Sequence, residues 1–298
     1  LRNTGGVRIV SFGSVNYDLS IWMDRFPGPD ETLRAQRIEA FSGGKGANQA
    51  TAAARLGAVA HLAGCVGGDD RGRWLLEELK SSGVDTSLVR IVEEPTGTAV
   101  PLITPSDVCI VVVAGANAST GAADADTAAE TIAAADVLLL QGEVGAAGAR
   151  KAAQAARSGG TTVVLNPAPV DPFLVEVVVP LADVLVVNRA EQAQIEVIGP
   201  DTGHCDTVVT LGGRGAQIGD VLVPSYPAAV VDPTGAGDAF CGAFGVALAE
   251  GRSLIEAVRF ANAAGALSVQ TPGAQPSMPS RAAVDALLDG HPSPGPPA

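Results

Sequence analysis

VLLLQGEVGAAGARKAAQAARSGGTTVVL, residues 137–165, sets two short apolar runs on either side of an alanine-rich segment. Val137-Leu138-Leu139-Leu140 and Thr162-Val163-Val164-Leu165 lack polar alternation, which is the pattern of strands covered on both faces. Two buried strands joined by a helix form a crossover unit, and crossovers join parallel strands. The same rhythm continues in both directions. Upstream, Arg8–Phe12 reads as an opening strand, residues from about Gly44 to Leu56 as a helix stopped by Gly57, and Val59–Val66 as a strand. Asp69–Lys80 reads as a helix with acids in its first turn, Trp74, Leu75 and Leu79 on one face, and Gly83 at its end. Downstream, Val184–Val187 and Thr207–Thr210 are further buried strands. From Ala236 the pattern is helical through Ala249, over Leu254–Val269 and over Arg281–Leu288. The expected fold class is a three-layer α/β/α sandwich on a mostly parallel sheet.

Two segments depart from this rhythm. Ser14–Ile38 and Gly97–Val113 are extended and turn-rich with no helix between their strands, and both suit a small second sheet. Such a sheet, over about 14–40 and 97–113, covers one edge of the main domain as a lid. The chain has 298 residues, 47% of them apolar, so one domain over 1–290 can bury a large core. Residues 291–298 are low in complexity and are expected to be disordered. Lys and Arg number 19 against 32 Asp and Glu, a net charge of −13. That surface repels phosphate backbones and anionic lipid, which argues against nucleic-acid and membrane partners. No window approaches the ~18 uncharged apolar residues of a membrane span, and Leu1 to Gly6 lack a secretory apolar run. Cys65, Cys109, Cys205 and Cys241 contain no CxxC pair, which suits a reducing cytoplasm. His61, His204 and His291 are scattered, so a general base, if present, is expected to be a carboxylate.

Two glycine-rich stretches carry the chemistry. In Val231-Asp232-Pro233-Thr234-Gly235-Ala236-Gly237-Asp238-Ala239-Phe240, small residues lead into a helix expected from about Ala239. A Gly-Ala-Gly turn at a helix entrance aims free backbone N–H groups outward at the positive end of the dipole, an anion hole. Asp238 at its rim is placed to accept a proton. Phosphoryl transfer to an alcohol needs those two parts together. On the local motif alone, Asp238 serves equally well as a helix cap. In Ser42-Gly43-Gly44-Lys45-Gly46-Ala47-Asn48-Gln49-Ala50, glycines let the backbone approach a ligand, and Lys45 and Asn48 suit a polyhydroxylated one. A tight strand-to-helix turn with a solvated lysine explains the same residues. Lys45 is followed by Gly46, and Gly235-Ala236-Gly237 by Asp238, Ala239 and Phe240. Neither a P-loop nor a dinucleotide fingerprint is therefore present.

Gly43-Gly44-Lys45-Gly46-Ala47-Asn48-Gln49-Ala50 and Asp232-Pro233-Thr234-Gly235-Ala236-Gly237-Asp238 resemble the two signatures of the ribokinase-like (PfkB) carbohydrate kinase family. Gly13–Asp18, Phe26-Pro27-Gly28, Ala114–Asn117, Leu165–Pro169 and Gly273–Ser277 fall in family order between and around them. The resemblance implies transfer of the γ-phosphate of ATP to the 5-hydroxyl of D-ribose. Another furanose or a nucleoside as acceptor, or a non-catalytic sugar-binding relative, are the alternatives. By the same resemblance, Asn16, Asp18, Gly43, Gly44, Lys45, Asn48 and Glu143 bind the sugar, and Asp238 is the base. Gly235, Ala236 and Gly237 form the anion hole. Asn188, Thr210, Gly212, Gly213, Arg214, Gly215, Gly237 and Asn262 serve the nucleotide, while Glu191 organises Mg2+ indirectly. Asp232, Thr234, Ser268, Thr271, Gly273 and Ser277 resemble an oxygen cage for an activating K+. A homodimer through the lid is also implied. Asn188 and Glu191 equally share an i,i+3 helix face, Glu143 equally suits a helix start, and Cys241 reads as a small buried hydrophobe. Between Asn188 and Thr210 the chain is shorter than the family pattern, so a trimmed helix or hairpin is expected there, with Pro200–His204 a bare loop.

Overall fold

Neighbouring residues on the buried strands pack to opposite sides of one sheet. Ile9, Leu139, Val164 and Val186 belong to one apolar cluster, and Val10, Leu138, Val163 and Leu185 to another. This is the two-sided burial that the unbroken apolar runs require. The computed structural model describes residues 6–291. It begins with β1 (Arg8–Phe12), passes out to β2 (Asn16–Trp22) and β3 (Arg37–Gly43), and returns through α1 (Lys45–Arg55) to β4 (Val59–Gly67), α2 (Asp70–Ser81) and β5 (Val84–Val92). A hairpin of β6 (Thr98–Ile103) and β7 (Val108–Val113) leads to α3 (Ala122–Ala133), β8 (Val137–Gln141), α4 (Ala146–Gly159), β9 (Thr162–Asn166) and α5 (Pro172–Val178). Next come β10 (Val184–Asn188), α6 (Arg189–Ile198), β11 (Asp206–Thr210), β12 (Ala216–Ile218) and β13 (Val221–Val223). The closing helices are α7 (Ala236–Ala249), α8 (Leu254–Ser268), the short α9 (Ala274–Ser277) and α10 (Arg281–Asp289).

The large sheet runs β13-β12-β11-β10-β9-β8-β1-β4-β5, parallel from β11 to β5, with β12 and β13 added antiparallel at one edge. Residues of α1, α7 and α8 cover one face, where Phe244 and Phe260 are fully buried. Truncating either to alanine costs roughly 3–5 kcal/mol. Residues of α3, α4, α5 and α6 cover the other face. This is the expected α/β/α sandwich. The four-stranded sheet runs β3-β2-β6-β7, with β2 and β6 parallel. Its free edge, β7, is apolar and exposed at all six residues.

The structure sharpens the sequence expectations at three places. The helix spans Ala236–Ala249, as the helical pattern read from Ala236 expects and three residues earlier than the start expected at about Ala239, with Gly235 as its N-cap and Asp238 inside the first turn. The segment after Asn188, expected to have a trimmed helix or hairpin, carries the ten-residue helix α6 and no hairpin, and the 199–205 connection has no regular element, as expected for Pro200–His204. His291, assigned to a disordered tail, packs edge-on against Tyr226 with ring centroids 5.6 Å apart. The remainder of that tail, 292–298, and the first five residues lie outside the described residues. No helix among the described residues is long and apolar enough to cross a membrane.

Candidate active site

The site assembles where α1, α7, the β1–β2 connection and the end of β8 meet. Close approach of α1 and α7 makes it possible: a Cβ at Gly242 would lie 2.6 Å from Ala52 Cβ and 2.7 Å from the Gln49 carbonyl oxygen. That backbone-to-backbone packing carries the first turn of α1 to the first turn of α7. Asp238, 6% exposed, receives Asn48 Nδ2 on Oδ2 at 2.8 Å and Gln49 Nε2 on Oδ1 at 3.2 Å. Its carboxylate is held by side chains of another helix and not by its own backbone, so the capping reading of Asp238 does not describe it.

The expected sugar-side residues converge on the same place. Pairing of β2 with β3 sets Asn16 opposite Gly43 and Asp18 opposite Phe41. The Asp18 carboxylate lies over Gly43, where a Cβ would come within 2.0 Å of Oδ2. Glu143, just beyond β8, accepts from the Ser14 hydroxyl and, at 3.1 Å, from the Lys45 backbone N–H. Asn16 is held by Asn117, whose Nδ2 donates to Asn16 Oδ1 at 2.7 Å and whose Oδ1 accepts from Val15 N at 2.9 Å. Asp18 Oδ1 and Asn48 Oδ1 are buried acceptors with no protein partner. Unpaired buried acceptors are costly and mark places where a ligand donates.

Charge is concentrated here. Burial, reinforced by Glu143 and Asp238 and opposed by Lys45, raises the Asp18 carboxyl from 3.8 to about 8. The Lys45 ammonium is pushed above its ordinary value, chiefly by Asp238, with Glu143 adding to the effect against burial. Burial, with Asp238, pushes the Cys241 thiol far up, so it stays protonated as a packing group. A carboxyl whose pKa rises on folding holds a proton that the unfolded chain has lost. Its contribution to stability is complete below 3.8 and is lost as pH climbs through about 8. Asp18→Asn is therefore expected to raise the thermal midpoint of the ligand-free protein at pH 9, on the order of 5 °C, with the difference vanishing by pH 4. Thermal unfolding across that range checks it; a difference independent of pH would contradict it.

A cavity of about 480 Å³ opens beside the entrance of α7. Of the residues expected to serve the nucleotide, Thr210, Gly212, Gly213, Gly215, Gly237 and Asn262 line it. Asn188 and Arg214 do not. Asn188 and Glu191 instead form the capping box of α6: Glu191 N donates to Asn188 Oδ1 at 2.9 Å, and Asn188 N to Glu191 Oε2 at 2.8 Å. Asn262 Nδ2 braces the cavity wall by donating to the Val223 and Pro224 carbonyls at 3.0 and 3.2 Å. Tyr226 and Phe240 also line the cavity, and nothing in the sequence marked them. Of the three amides expected to face an anion, that of Ala236 is already engaged by the Pro233 carbonyl at 3.2 Å. At Gly237 an added Cβ would meet nothing within 4 Å, so the mouth is open there.

Both expected metals suit the residues present. Among the described residues no cluster of three His, Cys, Asp or Glu could cage a divalent ion. Mg2+ carried on nucleotide phosphates needs no such cage. Glu191 keeps one carboxylate oxygen outside its capping bond, and its charge reaches both Lys45 and Cys241. Asp232 ties two of the expected K+ residues to itself, accepting from Thr234 N on Oδ1 at 2.9 Å and from Gly273 N on Oδ2 at 2.8 Å. Ser268 and Ser277 turn their hydroxyl protons back to the Gly265 and Ala274 carbonyls, leaving oxygen lone pairs as the donors. An oxygen-only set with one carboxylate suits a hard, weakly charged cation.

The profile of the pfkB family of carbohydrate kinases matches residues 7–281. A ribokinase of Bacillus subtilis is 38% identical over 293 residues, covering 94% of this chain and 99% of its own. A ribokinase of Arabidopsis thaliana, solved with ribose and ATP, superposes with a TM-score of 0.82 at 32% identity, covering 95% of this chain and 99% of the other. A ribokinase of Cryptococcus neoformans in complex with ADP gives a TM-score of 0.83 at 30% identity, with 94% and 99% covered. Matched from its first strand to its last helix, the chain belongs to the pfkB family of carbohydrate kinases.

Proposed function

We propose that this chain transfers the γ-phosphoryl group of ATP to the 5-hydroxyl of D-ribose, giving ribose 5-phosphate and ADP. The observation that carries the reading is the pair of unpaired buried acceptors, Asp18 Oδ1 and Asn48 Oδ1, beside the buried carboxylate of Asp238. A polyol offers hydroxyl donors to the first two while one hydroxyl is presented to the third. The curated and structural ribokinase relatives support ribose and ATP as the two substrates.

In this mechanism Asn16, Asp18, Lys45, Asn48 and Glu143 bind and orient the sugar. Asp238 removes the 5-hydroxyl proton as that oxygen attacks the γ-phosphorus and the bond to the ADP oxygen breaks. The Gly235 and Gly237 amides and the positive end of α7 face the charge on the transferring group. Thr210, Gly212, Gly213, Gly215 and Asn262 wall the nucleotide. Bound Mg2+ supplies charge neutralisation on the phosphates, and Glu191 is the residue that would hold it through water. Asp232, Thr234, Ser268, Thr271, Gly273 and Ser277 would hold K+, which steadies the turn leading into Gly235. The exposed apolar β7 edge supports pairing of two copies through their lids. The exposed free thiol of Cys109 suits a reducing compartment such as the cytoplasm.

ADP release measured with D-ribose, 2-deoxyribose, fructose and adenosine tests the substrate. The highest kcat/KM is expected for D-ribose; preference for fructose or adenosine, or no ADP release with any acceptor, would overturn the reading. The same assay tests the cation site. Replacing K+ by Na+ is expected to lower the rate severalfold, whereas equal rates would remove that assignment.

A further inference from the structure

Behind Asp238 runs a sealed chain of side-chain hydrogen bonds that never reaches the surface. Ser11 in β1 donates its hydroxyl proton to the Gly46 carbonyl oxygen at 2.9 Å. That carbonyl can only accept, so it fixes the direction of every bond that follows. With its proton engaged, the Ser11 oxygen accepts from Gln141 Nε2 at 3.2 Å. The same Gln141 nitrogen donates to Gln49 Oε1 at 2.7 Å. Gln49 must then point its own Nε2 away from Gln141, and it meets Asp238 Oδ1 at 3.2 Å. Ser11 and Gln141 are 0% exposed and Gln49 is 1% exposed.

The geometry points to Gln49 and Gln141 as positioning residues that hold the Asp238 carboxylate in one orientation, with the polarity of the chain set by the Gly46 carbonyl. This inference rests on Asp238 acting as the base. Asn48 clamps Oδ2 and Gln49 clamps Oδ1, so carboxylate rotation is blocked and the remaining lone pairs aim at a fixed spot. Sheet strands β1 and β8 thereby control the angle of a side chain on α7. Gln141 touches neither Asp238 nor the cavity, so its effect can only be relayed. The titratable groups facing Asp238 are Lys45, Asp18 and the Cys241 thiol, and none of them belongs to the chain.

The test uses the full-length protein with Gln49→Met and Gln141→Met. For each, kcat, ribose KM, the pH profile of kcat and the 13C carboxyl titration of Asp238 in the ligand-free protein are measured, with Asp238→Asn identifying the resonance. Loss of the Gln49 donor to the Asp238 carboxylate, direct in Gln49→Met and relayed in Gln141→Met, lowers kcat by about 10- to 100-fold, leaves ribose KM within about threefold, and moves the acid limb and the titration of Asp238 upward together. Where Gln141→Met does not fold, the isosteric Gln49→Glu carries the test, because a second carboxylate on Oδ1 must raise the Asp238 titration. An unmoved titration and acid limb in folded variants would overturn the relay, even if stability falls. A shifted titration in a protein that never phosphorylates ribose would sink the functional reading and leave the relay standing.

Discussion

Asp238→Asn is expected to lower kcat about 10²- to 10⁴-fold while ribose KM stays within about threefold. The amide keeps the shape of the carboxylate and can still accept one of the two bonds from Asn48 and Gln49. It cannot take up a proton near neutral pH. Ground-state contacts survive and the step that needs a base does not, so the loss falls on kcat. Steady-state kinetics with a coupled ADP readout checks this. A kcat within about tenfold of the unaltered protein would deny Asp238 its role, because positioned acid–base catalysis contributes more than that.

The second large effect is expected at Gly44. This N-cap residue of α1 has φ 89°, a left-handed value that side chains disfavour. A Cβ there would lie 2.6 Å from Asn16 N, 2.7 Å from Val15 Cα and 2.8 Å from the Ser14 carbonyl oxygen. All three are backbone atoms, and none can swing aside. Gly44→Ala is expected to cost about 3 kcal/mol or more of stability. It also displaces Asn16 and Lys45 together, so kcat/KM for ribose falls at least about 100-fold. Gly57→Ala is the control. Gly57 has a similar φ of 94°, but an added Cβ meets nothing within 4 Å. There the strain alone remains, about 1 kcal/mol, with activity unchanged. Equal effects at the two positions would show that strain and not collision governs Gly44.

Much of this fold was readable in one dimension for a physical reason. Strands such as Val137–Gln141 and Val184–Asn188 are covered on both faces, and continuous apolar runs follow from that. The edges of the sheet lack this signature. β5 is half exposed and pairs with β4 across a register shift near His61, so its sequence mixes polar and apolar residues without a clean period. β12 and β13 are three residues each, too short for any period to register.

The site divides in the same way. Gly44, Lys45, Asn48, Gly235, Gly237 and Asp238 lie in two compact motifs, where spacing itself signals close backbone approach and an open helix entrance. Gln141 and Asn117 act across separations of 92 and 101 residues, on Gln49 and Asn16 respectively. No local pattern can mark such pairs, because their meaning arises only when β8 and the loop before α3 are folded against α1 and β2. Asn188 and Glu191 show the opposite case. The family resemblance implied a nucleotide and Mg2+ role for them, while their i,i+3 spacing alone gave only a shared helix face, and in the structure that spacing builds a capping box.

The account turns on which hydroxyl Asp238 touches. A crystal structure with D-ribose and a non-hydrolysable ATP analogue measures this directly. The prediction is the sugar 5-hydroxyl within about 3 Å of an Asp238 carboxylate oxygen, with the terminal phosphate against the Gly235 and Gly237 amides. A different hydroxyl at that carboxylate, or the phosphate bound away from the entrance of α7, would contradict it.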